Sequence, residues 1–277
     1  MKKWMKTLLI ICLLFSGCQK QSTVQDNHII DPNGTTLESR ILTPQGYTRK
    51  DVNQDSFASF VRSYPLKEDG SPVLLYDGSE KRKQDDHVAV FELPIENVDL
   101  QQCADSIMRI YAEYYYQTKQ YDKISFHFVN GFEANYSKWI QGYKIKVDGN
   151  DVKWIKSQSS DTSYESFQRY LRVVFSYAST LSMEKESEEI ELSQIQIGDI
   201  FLKSGSPGHV VMIADICENE EGKKAFLLAQ GYMPAQEFHI LKNPLHDDPW
   251  YYEEEVSYPF HTPEYTFQEG SLRHLKY

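Results

Sequence analysis

The chain has 277 residues, with 29 Lys+Arg against 40 Asp+Glu and a formal charge of −11. Hydrophobic residues make up 40% and charged residues 25%, which excludes a disordered chain and suits one large domain or two small ones. The acidic balance excludes a general nucleic-acid binder, which needs a basic face for phosphates. No zinc-type Cys/His spacing, P-loop or dinucleotide fingerprint occurs, so neither metal nor cofactor is expected.

Lys2, Lys3 and Lys6 precede a short apolar run, Leu8 to Phe15, and then Ser16-Gly17-Cys18. A basic start, a short apolar stretch and small residues make a secretory signal, and the run is too short for a permanent span. The Ser-Gly-Cys ending resembles a bacterial lipobox, although Phe15 stands where Leu is commoner. That resemblance implies removal of residues 1–17, lipidation of Cys18 and anchoring by several acyl chains. Gln19 after the cysteine favours the outer membrane, facing the periplasm or the exterior. The mature chain would have 260 residues and a charge of −14. Such a charge keeps the body off anionic headgroups, so the membrane serves as an anchor. Residues 18–36 are polar, carry Asp31-Pro32 and Asn33-Gly34, and read as a flexible tether.

Residues 37–277 read as a single α+β domain. A short helix is expected at Ser56 to Tyr64, stopped by Pro65. Val73 to Tyr76 and His87 to Phe91 look like strands, joined by a turn at Asp77-Gly78. Asp99, with Gln102 three residues on, looks like the capping box of a helix whose apolar stripe is Leu100, Cys103, Ile107, Ile110/Tyr111 and Tyr114. Ile124 to Val129 alternates like a strand. Tyr143 to Val147 and Val152 to Ile155 form a hairpin about Asp148-Gly149. A second long helix is expected at Ser163 to Ser179. Strands follow at Asp199 to Leu202, His209 to Ile216, Ala225 to Ala229 and Glu237 to Leu241. Two main helices among strands joined by short turns predict a mostly antiparallel sheet.

The most informative segment runs Gly198-Asp199-Ile200-Phe201-Leu202, then Gly205-Ser206-Pro207-Gly208-His209-Val210-Val211-Met212-Ile213. It is a strand, a Gly/Pro turn and a strand opening on histidine. If the next strand pairs through a turn near Glu220, His209 lies roughly opposite Gln230 or Tyr232. A polar neighbour holds an imidazole in one tautomer while its other nitrogen serves as a base. His209 also suits a structural role at a tight turn, and Gln230 suits an ordinary buried amide.

This hairpin resembles the His-bearing hairpin of NlpC-type cell-wall cysteine peptidases. The resemblance covers about 35 residues and implies a papain-like fold that cuts amides of peptidoglycan stem peptides. Its residues would be a cysteine at a helix N-terminus, a histidine at a strand start and a polar residue on the next strand. Over nearly the whole mature chain the sequence is similar to a lipoprotein family of Gram-negative gut bacteria, the domain of unknown function 4846 family. Leu100-Gln101-Gln102-Cys103-Ala104-Asp105, Gly205-Ser206-Pro207-Gly208-His209 and Leu228 to Gln236 carry that likeness. It supplies a family and no activity.

Besides the lipidated position, the mature chain has two cysteines, Cys103 and Cys217. Cys103 falls early in a capped helix, where the dipole and free amides favour a thiolate nucleophile. It also suits a buried apolar thiol or a Cys103–Cys217 disulfide. The helix that precedes the Gly-Asp strand carries no cysteine, a departure from the peptidase pattern. Ser163 there offers a hydroxyl in the nucleophile's place, but as an N-cap it has a complete structural explanation. The resulting set is Cys103 as nucleophile, His209 as base and Gln230 as orienting group, with Gln236 as a weaker oxyanion candidate. The competing class is a non-catalytic envelope module that binds a peptide or glycan. Its groove would be framed by Tyr232, Gln236 and Trp250, with Tyr114-Tyr115-Tyr116 and Trp250-Tyr251-Tyr252 as aromatic clusters. His239, His246 and Asp247-Asp248 show no metal-ligand spacing.

Overall fold

The computed structural model describes residues 29–157 and 159–277, and the signal, Cys18 and Gln19 lie outside them. Residues 29–36, expected as tether, instead belong to the folded body. Ile30 bridges to Ile41, and the buried Arg40 donates from Nε to the Gly34 carbonyl at 2.8 Å. Thr36 caps the short helix Leu37–Arg40.

A nine-stranded antiparallel sheet dominates the α+β architecture. Along its main path the order is His87–Val90, His239–Leu241, Lys224–Gln230, His209–Asn219, Ile200–Lys203, Leu272–Leu275 and Ser187–Glu189. Tyr47–Thr48 adds to the His209 strand and Tyr251–Tyr252 to the Lys224 strand. The central His209 strand is buried on both faces, which explains its unbroken apolar run Val210 to Ala214. Val210, Met212 and Ala214 face the larger core, which holds the long helices. Val211 and Ile213 face a second core with Phe201, Phe226, Phe260 and Phe267.

Most predicted elements form where expected. The short helix spans Phe57–Arg62 with Ser56 as N-cap, and the second long helix spans Tyr164–Tyr177 with Ser163 as N-cap. Tyr143–Asp148 and Asp151–Lys156 make the expected hairpin. Val73 to Tyr76 does not become a strand: Leu74 and Leu75 each make one isolated bridge, to Glu80 and Gln236. His87–Val90 pairs instead with His239–Leu241.

The first long helix spans Cys103–Gln117, starting later than the Asp99 reading predicts. Gln102 is the N-cap, and the Asp105 carboxylate reaches back to its amide at 3.0 Å. Asp99 instead accepts from the Gln102 side chain and from the Ala235 amide. Nor is the helix amphipathic, since every residue from Cys103 to Tyr115 is buried. Its charges are paired inside. Arg109 bonds Glu113 at 2.7 Å, and the Tyr164 hydroxyl joins them, donating to Glu113 at 2.6 Å.

Candidate functional site

Two glycines bring the site together. A Cβ on Gly231 would lie 2.2 Å from Ser106 Oγ and 3.0 Å from the Gln102 carbonyl. The missing side chain therefore lets the start of the Cys103 helix sit on the end of the Gln230 strand. A Cβ on Gly208 would lie 2.4 Å from Thr180 Oγ1 and 2.6 Å from the Gly205 carbonyl. That glycine packs the turn before His209 against the segment that begins the helix Thr180–Lys185. Between these parts is a cleft of about 230 Å³, lined by Cys103, Asp99, residues 205–208, Ser179, Thr180 and Met233.

Cys103 is the first helical residue, 6% exposed, and its sulfur is not in a disulfide; Cys217 is free too. Burial, with Asp105 close by, pushes the Cys103 thiol up to about 11, although the amides of Ala104, Val210 and Cys103 favour the thiolate. The expectation that the helix start lowers this pKa is thus corrected: desolvation outweighs the amides. Burial drives Asp105 up to about 8, so this carboxyl is neutral through most of the physiological range. Its Oδ1 and the Ser106 hydroxyl are buried without partners.

His209 opens its strand opposite Lys203 and is 2% exposed. Its Nε2 lies 2.8 Å from Gln230 Oε1. Burial lowers its pKa to about 4, partly opposed by that bond, so the ring is neutral. The rings of Tyr232 and Tyr265 pack on it with centroids at 4.6 and 4.7 Å. Burial foremost, and the Cys103 thiol among lesser causes, hold both phenols above their ordinary pKa. Among the described residues no hydrogen bond joins the thiol to the ring; the ring's bond goes to Gln230.

Gln230 is fully buried. Its amide nitrogen donates to Glu264 Oε2 at 2.6 Å, and Glu264 pairs with Lys81 at 2.7 Å. Glu264 and Tyr265 sit in the turn between the short strands Phe260–His261 and Thr266–Phe267. Sequence reasoning missed both, and Lys81 as well. Thr262-Pro263-Glu264-Tyr265 carries no recognisable motif, and Lys81 looks like one more charge in a polar turn.

The other candidates are placed differently. Gln236 is 2% exposed, with its amide nitrogen buried and unpartnered. Trp250 is fully buried, donates to the Leu42 carbonyl at 2.9 Å and lies under the Arg49 guanidinium, so it is core and not a groove wall. Tyr114, Tyr115 and Tyr251 are buried too. Among the described residues no group of three or more His, Cys, Asp or Glu is arranged to hold a metal ion, and His246 bonds Glu255. A separate pocket of about 520 Å³, lined by Phe57, Tyr111 and Ile197, shares no residue with the Cys103 cleft. His274 lies on its wall, 2.6 Å from the buried Asp199. No helix among the described residues is long and apolar enough to cross a membrane.

No curated protein and no solved structure matches the chain. A family model described as "Domain of unknown function (4846)" matches residues 37–274, which span the sheet, both long helices and every side chain of the cleft. The chain belongs to that family.

Proposed function

We propose that the domain is a papain-like thiol hydrolase that cuts amide bonds in cell-envelope peptides of the peptidoglycan type. The observation that carries the reading is the His209–Gln230 bond at 2.8 Å, made beside a cysteine that opens a buried helix on a cleft. Both groups are neutral at rest, so the imidazole takes the thiol proton as the sulfur attacks the carbonyl carbon. The C–N bond then breaks and the same proton goes to the departing amine. Water, deprotonated by His209, releases the acyl group and restores the thiol. Helix-start amides stabilise the oxyanion. In this reading Tyr232 and Tyr265 shield the ring until substrate enters.

A lipid on Cys18, with the body at the outer membrane, would hold this chemistry at the envelope. A clickable fatty acid that labels the native chain and a Cys18→Ala variant alike would remove the anchor.

The test of the chemistry is a thiol-directed probe followed by peptidoglycan fragments. Native protein should label and release product, Cys103→Ala should do neither, and His209→Ala should label slowly and release nothing. Equal labelling of native protein and Cys103→Ala ends the nucleophile reading.

The buried thiol, without a hydrogen bond to the ring, favours a second reading: a non-catalytic module that holds an envelope peptide or glycan in the same cleft. Native protein and Cys103→Ala would then bind the fragments equally, and neither would cleave them.

A further inference from the structure

Behind His209 lies a chain of polar groups that runs on past Gln230. A carboxylate only accepts hydrogen bonds, so Glu264 Oε2, at 2.6 Å, must face the NH₂ end of the Gln230 amide. His239 makes the same demand. Its Nδ1 lies 2.8 Å from the Glu237 carbonyl, which also only accepts, so that nitrogen carries the proton. The ring is wholly buried and neutral, its pKa pushed down to about 3. Its Nε2, 3.4 Å from the Gln230 nitrogen, is therefore a second acceptor. Two acceptors at one end fix the amide against a flip and turn its oxygen to His209. An amide oxygen cannot donate, so the His209 proton is on Nε2, and Nδ1 keeps the lone pair that a base needs.

Glu264 holds the nearer of the two acceptors. Its own place is set by Lys81, which is 8% exposed and pairs with the same oxygen at 2.7 Å. We propose that Glu264, held by Lys81, is a positioning residue that sets the tautomer of His209 through the Gln230 amide. In the hydrolase reading above this arrangement keeps Nδ1 ready to take the thiol proton. The tautomer itself can be observed without any substrate.

The experiment is ¹⁵N-edited NMR of the histidine rings in the full chain at neutral pH, with His209→Gln identifying the signal. Native protein should show His209 as a single form protonated on Nε2. Glu264→Gln, whose side-chain oxygen can still accept, should keep that form. Lys81→Met/Glu264→Leu removes the acceptor without stranding a charge and should give a mixture of the two tautomers. The single variant Glu264→Ala, read in parallel, opens the same position should the double variant not fold. A lone Nε2-protonated signal in either folded variant overturns the inference. Cys103 alkylation, measured on the same samples, tests the hydrolase separately. If the tautomers mix and alkylation slows in proportion to the loss of the Nε2-protonated form, about twofold for an even mixture, both stand. If they mix and alkylation is unchanged, the relay stands and the hydrolase falls.

Discussion

His209 and Asp215 lie on one strand, six residues apart, and both are buried, yet their surroundings differ. Around Asp215 every charged group is hydrogen-bonded. Oδ1 accepts from Arg62 Nε at 2.8 Å and from the Ile216 amide, and Oδ2 accepts from Arg49 Nε at 2.6 Å. The two guanidiniums also reach the Ile41, Lys50 and Ile216 carbonyls, which ties the N-terminal segment to the sheet. At the His209 end the ion pair Lys81–Glu264 lies behind Gln230, and the groups next to the cleft are neutral instead. The imidazole is uncharged, Asp105 keeps its proton, and an Asp105 oxygen and the Ser106 hydroxyl lack partners beside a thiol and a cleft. A satisfied buried cluster needs only a structural explanation. An incompletely satisfied one next to a cavity invites a chemical one.

The sharpest way to break this contrast is Asp215→Ala. It strands two arginines, and breaking such a buried cluster should cost about 3–5 kcal/mol in urea unfolding. Cys103 alkylation in the folded fraction should not change. A loss below about 1 kcal/mol would put the two ends on the same footing.

Next in size is the pH response of the His209 end. Asp105 is protonated in the fold up to about 8 but ionises in the unfolded chain from the ordinary aspartate value of 3.8. The native state therefore holds the extra proton across that window, and stability falls as pH rises through it, by roughly 1.4 kcal/mol per pH unit. His209 and His239 act with the opposite sign. Their folded pKa values, about 4 and about 3, lie below the ordinary histidine value of 6.5. The unfolded chain thus takes up protons first, and each ring's contribution is lost as pH drops below 6.5. Asp105→Asn should stabilise the protein most near pH 8 and leave a steeper loss on the acid side, because only the histidine trend remains. Denaturant midpoints across pH check this; parallel curves for native and variant would mean that Asp105 is ionised in the fold.

Gly231→Ala comes third. The added Cβ would collide with Ser106 Oγ and crowd the Gln102 carbonyl. Overpacking of this kind should cost about 1–3 kcal/mol. It should also change the Cys103 alkylation rate, because it pushes on the helix start that carries the thiol. An unchanged rate would show that the thiol does not depend on that close approach.

The same contrast explains what the sequence made legible. Local rules placed the Tyr164–Tyr177 helix, where Ser163 caps a clear 3.6-residue stripe, and the Tyr143–Lys156 hairpin about Asp148-Gly149. His209 and Gln230 were readable because strand pairing through a short turn is nearly local. The start of the Cys103 helix is hidden because Asp99-x-x-Gln102 imitates a capping box, while the real carboxylate, Asp105, reaches backwards. Its all-round burial was hidden, since Arg109, Glu113 and Tyr164 satisfy one another only in three dimensions. Glu264 and Lys81 could not be read at all. They are 183 residues apart, sit in polar turns and acquire meaning only beside Gln230.

The smallest expected effect concerns Ser163, the other hydroxyl or thiol placed where a helix preceding the Gly-Asp strand could offer a nucleophile. Its Oγ accepts from the Ser166 amide at 3.2 Å, and its backbone is extended, as an N-cap requires. The Ser163→Ala variant should lose about 1 kcal/mol, the usual value of a cap. Ser163→Asp should retain most of that, since its carboxylate accepts the same bond at the positive end of the helix. Neither variant should alter Cys103 alkylation or the release of peptide from peptidoglycan fragments. Product release lost in the alanine variant and unrestored by aspartate would give Ser163 a chemical role, and would move the reacting centre from the first long helix to the second.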